Sequence, residues 1–169
     1  MSGQSFGKAF AVGLVVYIGL NVLLQIIYFV AIDQLELYFD LLEQEPAFIL
    51  ELLFGPITAA PYYGTTEITR VVGGDDAKYI LNGLRYLIPG ILATVASARL
   101  AESKYESFGA WALVALISFV LCLIYVLRYF DLMGWDFDET AIVNLIMILL
   151  LNLGFYGFFA VIASKNEAY

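Results

Sequence analysis

Ala47-Phe-Ile-Leu-Glu51-Leu-Leu-Phe-Gly55-Pro56-Ile-Thr-Ala-Ala-Pro61-Tyr-Tyr63 is the stretch that decides how often this chain crosses a bilayer. Its 17 residues are apolar apart from Glu51 and small polar groups, and Gly55-Pro56 and Pro61 interrupt it. A spanning helix needs roughly 20 mostly apolar residues. Three readings compete: a short fifth span, a re-entrant hairpin, or an interfacial segment buried against the other helices.

On either side the pattern is plainer. Four runs are long and apolar enough to span: Phe10 to Ile32, Tyr79 to Ala98, Phe108 to Phe130 and Thr140 to Ala163. Helix-start signals precede three of them: Asp75-Asp76, Ser107, and Asp138-Glu139-Thr140. Each offers a side-chain oxygen to the unpaired amides of a first turn. Pro89-Gly90 falls in the middle of the second run, and the proline removes the hydrogen bond to the Arg85 carbonyl, so a kink is expected. Lys8 before the first run resembles the basic start of a signal peptide. The 23 apolar residues that follow exceed the usual ~7–15, however, and no A-x-A site follows them, so the helix is read as retained.

Composition agrees. Of 169 residues 62% are hydrophobic and 14% charged, with mean hydropathy +0.86, against roughly 25% charged for soluble domains. A net charge of −8 from eight basic and sixteen acidic residues opposes nucleic acid as a partner, and equally a polybasic lipid anchor. With no histidine and one cysteine, the chain by itself holds no Ser-His-Asp or Cys-His catalytic pair, disulfide or CxxC motif. Nor can it supply an imidazole-held haem or zinc, or an iron–sulfur cluster. Cys122, inside an apolar run, reads as an inert small hydrophobe. No cofactor is expected.

Between the first two spans lie 46 residues. Asp33, Glu36, Asp40 and Glu43 form a narrow acidic stripe at helical spacing, with Leu35, Phe39 and Leu42 opposite. This predicts an amphipathic helix at the membrane surface. Basic residues then choose among the readings of 47–63. With four spans, Lys8, Arg99, Lys104 and Lys165 share one side with three acids, for a charge of +1, and the other side carries −9. The loop from Arg99 to Lys104 is basic, while that from Asp131 to Glu139 has no basic residue. Arg70, Lys78, Arg85 and Arg128 stand on the other side, so the Lys and Arg totals are equal and these loops decide, since basic short loops mark the cytoplasmic side. A fifth span would reverse everything after it, so 47–63 is read as non-spanning, with both termini cytoplasmic. The expected fold is an all-α integral membrane protein: one membrane domain over 1–169, with four spans and an extracytoplasmic, interfacial segment at 33–78.

Several constellations bear on function. Glu51 and Arg85, the latter ~9 Å into its helix, are ionisable groups at membrane depth, and such groups tend to pair and to mark function. The competing reading has Arg85 snorkelling to the surface and Glu51 at headgroup depth. Asn21 and Gln25 share a face of the first span, while Asn144 and Asn152 lie on the fourth; such amides seek partners on neighbouring helices. Small residues form candidate packing faces: Gly90, Thr94 and Ala98 on the second span, Gly154 and Gly157 on the fourth. They suit packing within the bundle or against another subunit. The aromatic pairs, Tyr62-Tyr63 among them, suggest an interfacial belt. The acids of Asp131–Glu139 do not match a calcium-loop spacing and read as solvated caps.

Three functions follow. A non-enzymatic subunit or scaffold, binding other membrane proteins or itself, leads. A small oligomeric transporter or cation-channel component, with Glu51, Arg85 and the amides lining its path, comes second. An enzyme ranks last, since no spacing selects two convergent carboxylates. An acid-rich, lysine-poor exterior also suits adaptation to high salt.

Overall fold

The computed structural model describes residues 3–74, 76 and 78–164. Seven helices, without a strand among the described residues, run α1 (Gly3–Ala31), α2 (Leu35–Gln44), α3 (Phe48–Phe54), α4 (Pro61–Val72), α5 (Lys78–Leu100), α6 (Lys104–Met133) and α7 (Glu139–Ala163). A 3-10 turn, Gly55–Thr58, joins α3 to α4. Four helices, α1, α5, α6 and α7, are long and apolar enough to cross a membrane. The chain is a multi-pass α-helical membrane protein.

Local chemistry sets the helix ends. α1 and α6 close in the same way: the amides of Asp33 and Gln34 bond back to Val30 and Phe29, and those of Gly134 and Trp135 to Asp131 and Phe130. The pivot residue is left-handed in both, at φ 57° for Asp33 and 66° for Gly134, conformations that Asp tolerates and Gly adopts freely. Asp138 caps α7 by accepting from the Ala141 amide, and Asp76 accepts from the Lys78 amide ahead of α5. Asp75, its neighbour in the expected cap, lies outside the described residues, as do Lys165 and Glu167 of the charge count. Ser107 is not a cap. α6 begins four residues earlier, with Ser103 accepting from the Glu106 amide, because Ser103-x-x-Glu106 is itself a capping pattern. Ser107 instead lies buried, donating to the Ala160 carbonyl of α7 at 2.7 Å.

α5 is the central helix, touching α1, α4, α6 and α7, and it continues through Pro89. Its small residues make this possible. Gly13 of α1 lies against Ser97, and Gly90 against the Tyr156 ring of α7. The tightest crossing joins α4 to α5. A Cβ on Gly83 would stand 2.5 Å from the Gly64 carbonyl oxygen, and one on Gly64 would stand 2.9 Å from that of Gly83.

The stretch 47–63 is re-entrant. α3 starts beside the C-terminal end of α6, where Phe48 packs on Tyr125 and Tyr129. It descends to a turn held by Asn152, midway along α7, and α4 then climbs back to pair with the start of α5. The hairpin thus enters and leaves at one end of the bundle, the hairpin end; α1 begins and α7 finishes at the opposite, terminal end. Tyr62-Tyr63 correct the expected aromatic belt here: as the first residues after the turn, they sit at the depth of the α7 midpoint, not at a span end. α2 is amphipathic, but it docks on a different face. Tyr38 is its buried residue, flanked by half-buried Leu35, Leu41 and Leu42, whereas Phe39 is exposed. Tyr38 lies ~180° from the middle of the Glu36–Asp40–Glu43 stripe, so the helix turns its acids directly away from the bundle. Asp33 belongs to the α1 cap and not to the helix.

Candidate intramembrane polar site

Where α1, α2, α3 and α5 meet, five polar side chains form one chain of hydrogen bonds. Glu51 and Arg85 do not touch; Gln25 bridges them. Its Nε2 donates to Glu51 Oε1 at 2.8 Å, and its Oε1 accepts from Arg85 Nη1 at 2.8 Å. Tyr38 donates to Glu51 Oε2 at 2.9 Å, and Arg85 Nη2 donates to the Tyr86 hydroxyl at 3.0 Å. The guanidinium also lies over aromatic rings, 4.2 Å from the Tyr28 centroid and 4.8 Å from that of Tyr86. Arg85 therefore does not merely snorkel: its charge is met by rings and amide within the bundle. Burial first, and the Glu51 carboxylate second, push the Tyr38 hydroxyl well above its ordinary range, so it stays protonated and remains a donor.

The other amides hold the hairpin tip. A helix that ends inside a bundle leaves its last carbonyls without amide partners, and in hydrocarbon each such group costs several kcal/mol. Here α1 and α7 supply the donors. Asn21 Nδ2 donates to the Leu53 carbonyl at 2.8 Å, with a long 3.5 Å contact from Tyr17 to Phe54. Asn152 Nδ2 reaches the carbonyls of Ile57 and Ala59, both at 3.1 Å, and Ile148 in its own helix at 3.0 Å. Thr58 closes the turn onto the Gly55 carbonyl. Beside the Arg85 carbonyl, which Pro89 cannot pair, the Tyr156 hydroxyl donates to the Tyr86 backbone carbonyl at 2.8 Å.

Asn144 stands apart from this arrangement, exposed in a groove between α6 and α7 lined by Val126, Phe130 and Leu145. Of the candidate packing residues, Gly90, Thr94, Ala98 and Gly157 are buried inside the chain, with Gly157 against the Phe108 ring. Only Gly154 is open, with nothing near its Cβ position. Toward the terminal end the interior is filled: Trp111 lies edge-on to Tyr17 and Tyr156, with ring centroids 5.9 and 5.3 Å away, and all three are buried.

Two buried carboxylates escape a reading by hydropathy. Glu67 on α4, 4% exposed, accepts from Asn82 of α5 at 2.8 Å and pairs with Arg70. Glu106, 2% exposed, accepts from the Ser5 hydroxyl and the Glu102 amide, tying the start of α1 to the turn before α6. The Ser103–Glu106 spacing carried the signal for the second; nothing local marks the first. Among the described residues, no group of three or more Cys, Asp or Glu side chains is placed to hold a metal ion. Glu51 lines two clefts, one of about 290 Å³ under α2 and one of about 350 Å³ beside α4. Comparison of the chain with protein-family models, curated proteins and solved structures returns no match.

Proposed function

We propose that this chain is a non-enzymatic membrane subunit or scaffold, which associates with other membrane proteins or with further copies of itself. The observation that carries this reading is where the intramembrane polar groups are used. Asn21 and Asn152 satisfy the carbonyls of a half-inserted hairpin, and Gln25 links Glu51 to Arg85. These groups fix a shape. Below them the Tyr17–Trp111–Tyr156 cluster fills the interior, which opposes a translocation path through one protomer. The shaped surface is the hairpin end, where α2 turns its acids outward. With the termini cytoplasmic, as the distribution of Lys and Arg suggests, that acidic surface faces the other side of the membrane.

Extraction in mild detergent followed by native mass spectrometry tests this. A stoichiometric partner protein or a defined homo-oligomer is expected; a lone protomer would contradict it. One observation favours a second reading, an oligomeric transporter or cation-channel component: Glu51 borders both clefts. Cation flux in liposomes that is lost in Glu51→Gln would establish that reading in place of the first.

A further inference from the structure

The cleft beside α4 has an unusual lining for the interior of a membrane protein. Its volume of about 350 Å³ falls within the range of small-molecule sites, roughly 300–1,000 Å³. Its walls carry one carboxylate, Glu51, together with the rings of Tyr62, Tyr63, Tyr86 and Tyr125, and no Lys or Arg lines it. Gly55 makes room for the carboxyl, since a Cβ there would meet Glu51 Cγ at 3.2 Å and Oε1 at 3.4 Å. Each Glu51 oxygen accepts one hydrogen bond, from Gln25 or Tyr38, so each retains a lone pair. Arg85 directs one nitrogen to Gln25 and another to the Tyr86 hydroxyl, and its guanidinium lies 4.2 Å from the Tyr28 ring centroid and 4.8 Å from that of Tyr86.

We propose that this cleft binds an organic ammonium group carrying an apolar body, with Glu51 as counter-ion and the tyrosine rings as its surroundings. A half-buried carboxylate ringed by aromatics matches the way ammonium groups are recognised, by a nearby charge and by ring faces within ~6 Å. A bare metal ion is matched less well. It needs several oxygens at about 2.0–2.6 Å, whereas Glu51 is the one carboxylate in a lining made mostly of rings and small or apolar side chains. The apolar body follows from position. The cleft opens beside Tyr62, which is 66% exposed, and Ile148 of α7, on a flank whose neighbours are hydrocarbon. Either an amine-headed lipid or a free hydrophobic amine supplies this chemistry. The proposal goes beyond the subunit reading and does not depend on it.

A matched pair of probes tests it on the full chain in neutral detergent: benzyltrimethylammonium and its uncharged isostere neopentylbenzene. Saturable binding of the cation, about tenfold tighter than of the isostere, is expected, and Glu51→Gln should abolish that difference. Tyr63→Leu, at the rim, should weaken the cation several-fold and leave the isostere unchanged, which keeps the proposal testable should Glu51→Gln fail to fold. Equal binding of the two probes by the unaltered protein, or an undiminished cation preference in every variant that folds, would overturn it. Vesicles of equal phosphatidylethanolamine and phosphatidylglycerol distinguish the sources. Selective retention of the ethanolamine lipid, displaced by the cation, identifies a headgroup; cation preference without lipid selectivity identifies a free amine. Failure of probe binding leaves the co-purification test of the subunit reading untouched.

Discussion

At the scale of single residues, what matters is how each polar atom is partnered, not how polar the residue is. Asn152 and Asn144 are chemically identical and eight residues apart on α7, yet one directs its two N–H donors among the Ile57, Ala59 and Ile148 carbonyls and the other is exposed. Asn152→Leu leaves the Ile57 and Ala59 carbonyls without that donor in a water-poor interior. It should lower stability by about 1–3 kcal/mol, while Asn144→Leu should stay within about 0.5 kcal/mol of the parent protein. Denaturation midpoints of the two variants in one detergent check the contrast; equal midpoints would remove the structural role of Asn152. Gln25 is the corresponding test for the ionisable pair. Gln25→Leu strips a donor from Glu51 and an acceptor from Arg85 together, so a loss of about 1–3 kcal/mol is expected by the same measurement. The residue that couples the charges is thus a neutral amide, which a search for opposite charges passes over.

At the scale of elements, the four spanning helices were legible because long apolar runs need no tertiary context. Their caps were partly legible. Asp138 and Asp76 act as the sequence suggests, but Ser107 lost its place to Ser103, whose own capping partner lies three residues on. Helical spacing found the amphipathic α2 but misplaced its docking face. Periodicity counts every apolar residue alike, whereas Tyr38 is drawn inward by its bond to Glu51 and its stacking on Phe29, leaving Phe39 outside. Glu67 and Tyr62-Tyr63 were illegible for a related reason: their surroundings come from the return of α4 along α5, a long-range fact. That pairing depends on two glycines. Gly83→Ala sets a methyl group against the Gly64 carbonyl oxygen, so α4 must move away, at a cost of about 1–3 kcal/mol; thermal denaturation of Gly83→Ala beside Gly7→Ala, where nothing lies near, measures it. Asp76 gives an element-level pH test. The Lys78 amide, first among the causes, holds its carboxyl below the ordinary value. Its contribution is therefore present above the unfolded pKa of about 3.9 and is lost as pH falls through the lower folded value. The gap in melting temperature between the parent protein and Asp76→Ala should hold steady above about pH 4 and narrow as pH falls below the unfolded value of about 3.9, and a gap that stays constant into acid would contradict the cap.

At the scale of the whole molecule, everything hinges on the hairpin. A re-entrant 47–63 keeps the acids of α2 and of the Asp131–Glu139 loop at one end of the bundle, lets Asn21 and Asn152 meet its carbonyls from two helices, and creates the clefts around Glu51. Arg128 of α6 strengthens the arrangement by gripping Glu45 through two nitrogens, at 3.0 and 3.1 Å, and bonding Asp131 with a third, which fastens the entry to the hairpin onto the end of a spanning helix. A fifth span would instead carry α4 through the bilayer and reverse every later helix. The direct measurement is labelling of single cysteines, in a Cys122→Ala background, by a membrane-impermeant maleimide added to one side of sealed vesicles. Glu43→Cys before the hairpin and Val72→Cys after it, both exposed, should react from the same side, and Tyr105→Cys at the start of α6 only from the other. Reaction of Glu43→Cys and Val72→Cys from opposite sides would contradict the re-entrant hairpin and the four-span fold built on it.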